Sequence, residues 1–131
     1  IPSPATTQPS NNGLADCFNL LPGDHPGLLL TTIQLRGENY DEWAKAMRAG
    51  LRAKKKYGFV DGTITERPPE ISVDLWEQVN SMLVAWIINT VEPGLRTTVT
   101  ITYLVFPLWN DLRERFCVSH GPRLQQLKID L

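Results

Sequence analysis

The triplet Asp61-Gly62-Thr63 is the first place where this sequence could do chemistry. It is superficially similar to the loop that carries the carboxylate of an aspartic protease. That loop needs a hydroxyl residue directly after the aspartate and a glycine after that, and two such loops must pair to share one proton. Here the order is reversed, and Asp61 reads as a turn aspartate. Two thiols, Cys17 and Cys117, and two imidazoles, His25 and His120, complete the stock of soft nucleophiles and neutral-pH bases. Cys17 lies in a polar tail and Cys117 at a helix end, and neither sits in a nucleophile motif. His25 precedes Pro26 in a turn, where a structural role is the default. A metal site needs ligands at tighter spacing than these. Two cysteines also exclude a four-cysteine zinc site and a disulfide-dense scaffold. The run Lys54-Lys55-Lys56 has no Gly-x-x-x-x-Gly-Lys-Ser/Thr cradle around it. The residues therefore predict a non-enzyme, with no catalytic residue, no cofactor, no metal and no small-molecule substrate.

Nucleic acid is the remaining chemical option. Lys45, Arg48, Arg52, Lys54, Lys55 and Lys56 hold six of the 13 basic residues. Lys45, Arg48 and Arg52 fall on one face of a predicted helix, a stripe that can meet phosphates without reading sequence. The competing reading is a solvated helix face whose cations sit at the end favoured by the helix dipole. With 14 acidic residues the formal charge is −1, which predicts weak, salt-sensitive RNA affinity for the whole chain.

These residues need a scaffold. A chain of 131 residues and 14.8 kDa makes one domain, and 42% apolar residues supply a core. No apolar run approaches the ~20 residues of a membrane span. The chain starts at Ile1, as a fragment, a processed product or an incomplete reading frame would. Residues 1–23, rich in proline and polar residues, predict a disordered tail on which Cys17, Phe18, Leu20 and Leu21 dock transiently. The tail lacks the basic start and apolar stretch of a secretory signal. The domain is expected over 24–131, beginning with an extended segment at 27–35.

A first helix should start at an Asn39 or Asp41 cap. Tyr40, Trp43, Ala44, Met47 and Leu51 form its apolar stripe, and Gly58 is the expected stop. Phe59–Ile64 reads as a turn and Arg67–Glu70 as a connector. A second, central helix is expected from about Asp74 to Val91, capped by Asp74 with Glu77 at the capping-box spacing. Trp76, Val79, Leu83, Trp86, Ile87 and Thr90 line one side of it. Residues 95–104 are β-branched but lack a partner strand, and a short helix is expected there. Pro107 suits the first turn of a further helix carrying Leu108, Trp109, Leu112 and Phe116. After Gly121-Pro122, residues Leu124, Leu127 and Leu131 share a face of a last helix, expected to be truncated. The four tryptophans read as core, with a subunit contact as the alternative use for any one of them.

A resemblance now becomes specific. Its parts are Asp24-His25-Pro26-Gly27, Leu35-Arg36-Gly37-Glu38-Asn39-Tyr40-Asp41-Glu42-Trp43, Met47, and Lys54 through Tyr57-Gly58-Phe59-Val60-Asp61-Gly62-Thr63-Ile64. Trp76, Asn80-Ser81-Met82, Trp86-Ile87-Ile88-Asn89, Leu108 through Phe116 and Gly121-Pro122-Arg123 continue it. Together they resemble the N-terminal region of the Gag polypeptide of plant copia-type LTR retrotransposons, over roughly residues 24–131. The family-motif and core residues are Gly37, Asn39, Tyr40, Trp43, Met47, Gly58, Phe59, Asp61, Gly62, Trp76, Trp86, Trp109, Leu112 and Phe116. The resemblance implies an all-α small helical bundle similar to the N-terminal lobe of retroviral capsid proteins. It implies a structural partner role: the chain associates with itself into particles that package element RNA, in the cytoplasm or alternatively the nucleus, with no membrane partner. The sequence departs from the pattern at Val105-Phe106-Pro107, where relatives carry a polar cap, and in the threonine-rich stretch before it. The Gag zinc knuckle is absent from these residues, and the chain is expected to end before a second capsid lobe. A domesticated host protein that keeps the fold as a protein-interaction module is the alternative, to be discriminated by the flanking reading frame.

Overall fold

The computed structural model describes residues 16–99 and 102–117. Among the described residues these helices follow one another: α1 (Tyr40–Ala53), α2 (Gly58–Asp61), α3 (Val73–Asn89), α4 (Pro93–Arg96) and α5 (Val105–Phe116). The expected all-α class holds. Among the described residues the one sheet-like pairing is a single parallel bridge between Leu35 and Val91. There the Leu35 N–H donates to the Thr90 carbonyl at 2.7 Å and the Glu92 N–H donates to the Leu35 carbonyl at 2.9 Å. The bridge ties the extended segment before α1 to the end of α3. The expected last helix with Leu124, Leu127 and Leu131, together with His120 and residues 1–15 of the tail, lies outside the described residues.

The stripe expected of α1 is the face it buries: Tyr40, Trp43, Ala44, Met47 and Leu51. Helix α3 contributes Trp76, Val79, Leu83, Val84, Trp86 and Ile87, and α5 contributes Val105, Leu108, Trp109 and Leu112. Trp43 stacks on Trp109 with ring centroids 5.5 Å apart. A second aromatic group joins Phe59 of α2 and Trp76 of α3 to Phe18, the latter pairs at 5.2 and 6.1 Å. All four tryptophans are buried, as core residues rather than surface anchors. Docking of Cys17, Phe18 and Leu20 is present, with Phe18 3% exposed and Cys17 and Leu20 packed at the edge of the core. Leu21 points away and is exposed.

Four local expectations are corrected. First, α1 stops at Ala53, not at Gly58. The Lys56 N–H returns to the Leu51 carbonyl at 2.7 Å and the Lys55 N–H to that of Arg52 at 2.9 Å. With Lys55 left-handed at φ 60°, this is a Schellman closure that uses lysine where glycine is usual. Gly58 instead opens α2, and Gly62, at φ 96°, ends it. Second, the cap of α3 is Ser72, whose Oγ accepts from the Leu75 N–H at 3.1 Å. Asp74 therefore sits inside the first turn, where its charge suits the dipole. Third, Asn39 holds the cap position of α1 without capping it. Its Oδ1 accepts from the Arg36 N–H at 2.8 Å and its Nδ2 donates to the Gln34 carbonyl at 2.8 Å, which fastens the turn at Gly37 (φ 113°). Fourth, among the described residues of the helix expected over 95–104, only Leu95 and Arg96 are helical, at the end of Pro93–Arg96. The Thr98 hydroxyl donates to the Leu95 carbonyl at 2.8 Å, the kind of local competition that makes threonine a poor continuation.

Pro107 does fall in the first turn of α5. The polar cap missing from Leu104 comes from another helix: buried Asn80 of α3 accepts the Val105 N–H on its Oδ1 at 3.0 Å. The amide of Asn80 is anchored in turn, its Nδ2 donating to the Trp76 carbonyl at 3.0 Å.

Candidate nucleic-acid interface

Helix α1 separates apolar from polar residues around its axis and acidic from basic residues along it. Asp41 and Glu42 occupy the first turn and Arg52 the last, each where the macrodipole favours it. Lys45, Arg48 and Arg52, spaced three and four residues apart, share the face opposite the core. Lys45 and Arg52 are exposed and Arg48 is half-buried. Arg52 lies over the ring of Tyr57, 4.2 Å from its centroid, which holds the guanidinium at the surface.

Lys54, Lys55 and Lys56 are placed differently, because α1 has closed before them and the chain turns under residues 16–24. Lys54 Nζ lies 2.7 Å from Asp24 Oδ1, with the Asp24 side chain 1% exposed. Lys55 Nζ lies 3.4 Å from Asp16 Oδ2 at the surface. Lys56 is 1% exposed. Its Nζ donates to the carbonyls of Asn19 at 2.8 Å, Lys54 at 3.2 Å and Asp16 at 3.5 Å. The six predicted contacts therefore divide into the α1 stripe of Lys45, Arg48 and Arg52 and a run engaged by residues 16–24, in which Lys55 is exposed, Lys54 half-buried and Lys56 buried.

Burial pushes the Lys56 ammonium below its ordinary pKa, with Asp24 and Cys17 pulling the other way. Burial also lifts the pKa of the Cys17 thiol, opposed by the Lys56 charge. Burial acts to raise the Asp24 carboxyl too, but the Lys54 hydrogen bond, the Leu21 N–H and the charges of Lys54 and Lys56 outweigh it, and the pKa falls. The clamp of residue 24 on residue 54 escaped the sequence reading. The available signal was a pair of aspartates, Asp16 in the tail and Asp24 at the start of the domain, preceding a lysine run.

The other motif residues serve the fold. Trp43 Nε1 donates to Thr90 Oγ1 at 2.9 Å, and Met47 Sδ lies 3.8 Å from the same hydroxyl. Trp86 Nε1 donates to the His25 carbonyl at 2.7 Å, which gives the His25 turn its structural role. Asp61 Oδ1 accepts the Thr63 N–H at 2.8 Å, an Asx turn. Tyr40 is buried with its hydroxyl unpaired, and burial raises its pKa. Phe59, Trp76, Trp109 and Leu112 are core, and Phe116 packs at its edge. No His, Cys, Asp or Glu cluster fit for a metal occurs among the described residues, and no helix there is long and apolar enough to cross a membrane.

Compared with known proteins, the chain finds no match among curated proteins or solved structures. A family model does match, over residues 21–69, the stretch that carries the Asp24 turn, the Gly37–Trp43 motif, α1, the lysine run and α2. Over that stretch, 49 of the 131 residues, the chain is similar to the family described as the Gag polypeptide of LTR copia-type.

Proposed function

We propose that this chain is a non-catalytic, capsid-like building block that associates with copies of itself and meets element RNA through the exposed face of α1. The observation that carries the reading is the Gag family match over residues 21–69. Two features of the fold support it. The large aromatics are spent on a rigid core, so the domain can present a fixed surface to a neighbour. Lys45, Arg48 and Arg52 stand in register on the solvent face of α1, suited to phosphates in any sequence. Each contact is weak by itself, and assembly multiplies it.

Chemical cross-linking over a rising concentration series tests the assembly part. A ladder of dimers and larger species whose yield grows with concentration is expected, and monomer at every concentration counts against it. Titration with RNA tests the rest. Weak binding that falls steeply with salt is expected, and tight, salt-insensitive binding contradicts it.

A further inference from the structure

We propose that Lys54, Lys55 and Lys56 form a second phosphate-binding patch that residues 16–24 of the same chain occupy, so that this arm and a single-stranded nucleic acid compete for one set of ammonium groups. The inference rests on the reading of α1 as the RNA-facing helix and extends it to a site that the same chain partly covers.

The geometry carries it in three steps. The groups now bound to the lysines are anionic or carbonyl oxygens: Asp24 Oδ1 on Lys54, Asp16 Oδ2 on Lys55, and the Asn19 and Asp16 carbonyls on Lys56. A phosphodiester offers the same acceptor chemistry. The patch also lies just past the end of α1, where Lys54 is the C-cap two residues beyond Arg52. Residues two apart do not share a helix face, so opening the arm would add a second set of cations beside the stripe.

The arm, finally, is held by few groups. Its seated side chains are Phe18, wedged between Phe59 and Trp76, and Asp24 at the clamp on Lys54. Cys17 and Leu20 are only half-buried, Leu21 is exposed, and the Lys55–Asp16 pair lies in solvent. A segment secured this way opens locally at lower cost than the core. A polyanion that engages several lysines at once gains from each phosphate it places, whereas the arm offers two carboxylates and two carbonyls.

The test measures the affinity of the full chain for a fluorescein-labelled oligouridylate across a salt series, with hydrogen exchange of residues 16–24 reporting arm release. Asp16→Asn with Asp24→Asn removes the competing carboxylates. Phe18→Ala loosens the arm with no change of charge. Glu66→Gln with Glu70→Gln, on the connector between α2 and α3, makes the same charge change away from the arm. In both arm variants the salt slope should steepen by about 1 to 2, from roughly 0.7 per newly neutralised phosphate on a single strand. The connector control should keep the wild-type slope. Released arms with an unchanged slope overturn the proposal, and so does a connector control that shifts as far as the arm variants. Absence of RNA binding in every variant overturns the RNA-facing reading of α1 along with it, which separates the two failures.

Discussion

The indole N–H of Trp43 donates to the hydroxyl of Thr90 at 2.9 Å, in the core and across 47 residues of chain. Thr90 passes the bond on, donating to the Ile87 carbonyl at 2.7 Å, and its own carbonyl receives Leu35 in the bridge before α1. One residue at the end of α3 thus joins the Gly37–Trp43 motif to the central helix. Thr90→Val keeps the volume and strands the Trp43 donor. It should cost about 1–3 kcal/mol, seen as a lower urea midpoint with an unchanged m-value.

Asn80 is the cap of a helix to which it does not belong. Asn80→Leu would leave the buried Val105 N–H without its acceptor. A loss of about 1–3 kcal/mol is expected. Hydrogen exchange should quicken first at Val105–Trp109, because the start of α5 frays once its cap is gone.

Lys55 holds the left-handed position that closes α1. A side chain there costs roughly 1–2 kcal/mol, partly returned in the unfolded state, where lysine has less freedom than glycine. Lys55→Gly should therefore stabilise the fold by about 0.5–1 kcal/mol net. The exposed pair with Asp16 that it removes is worth little. Thermal unfolding of the two proteins decides the sign.

The Asp24 clamp predicts a particular acid dependence. Its folded pKa lies below the ordinary 3.8, so its contribution is fully present above that value and is lost as pH falls through the folded one. Asp24→Asn should therefore be less stable than wild type at neutral pH and lose less on acidification below pH about 3.8. Urea midpoints measured on both sides of that pH check it. Parallel acid curves for the two proteins would contradict the clamp.

The helical class and the buried face of α1 were legible because a helix shows its core side locally, through spacing alone. Each residue expected on that stripe is buried. What escaped were partnerships across the chain. A run of three lysines reads the same whether it is solvated or, like Lys56, enclosed by carbonyls 37 and 40 residues away. The cap of α5 was hidden for the same reason, since Val105 finds its acceptor 25 residues back. Yet Asn80 did carry a signal: a polar residue between Val79 and Leu83 on the buried side of α3 must find a hydrogen bond somewhere. The end of α1 was misplaced because glycine is the usual left-handed residue and Lys55 took the role.

The central claim is weak, reversible self-association of a folded block, and sedimentation velocity of the full chain over a wide concentration range tests it most directly. The account predicts a 14.8 kDa monomer at low micromolar concentration whose weight-average mass climbs steadily as the protein is concentrated. A mass that never rises, or a fixed small oligomer already formed at micromolar concentration, would contradict it.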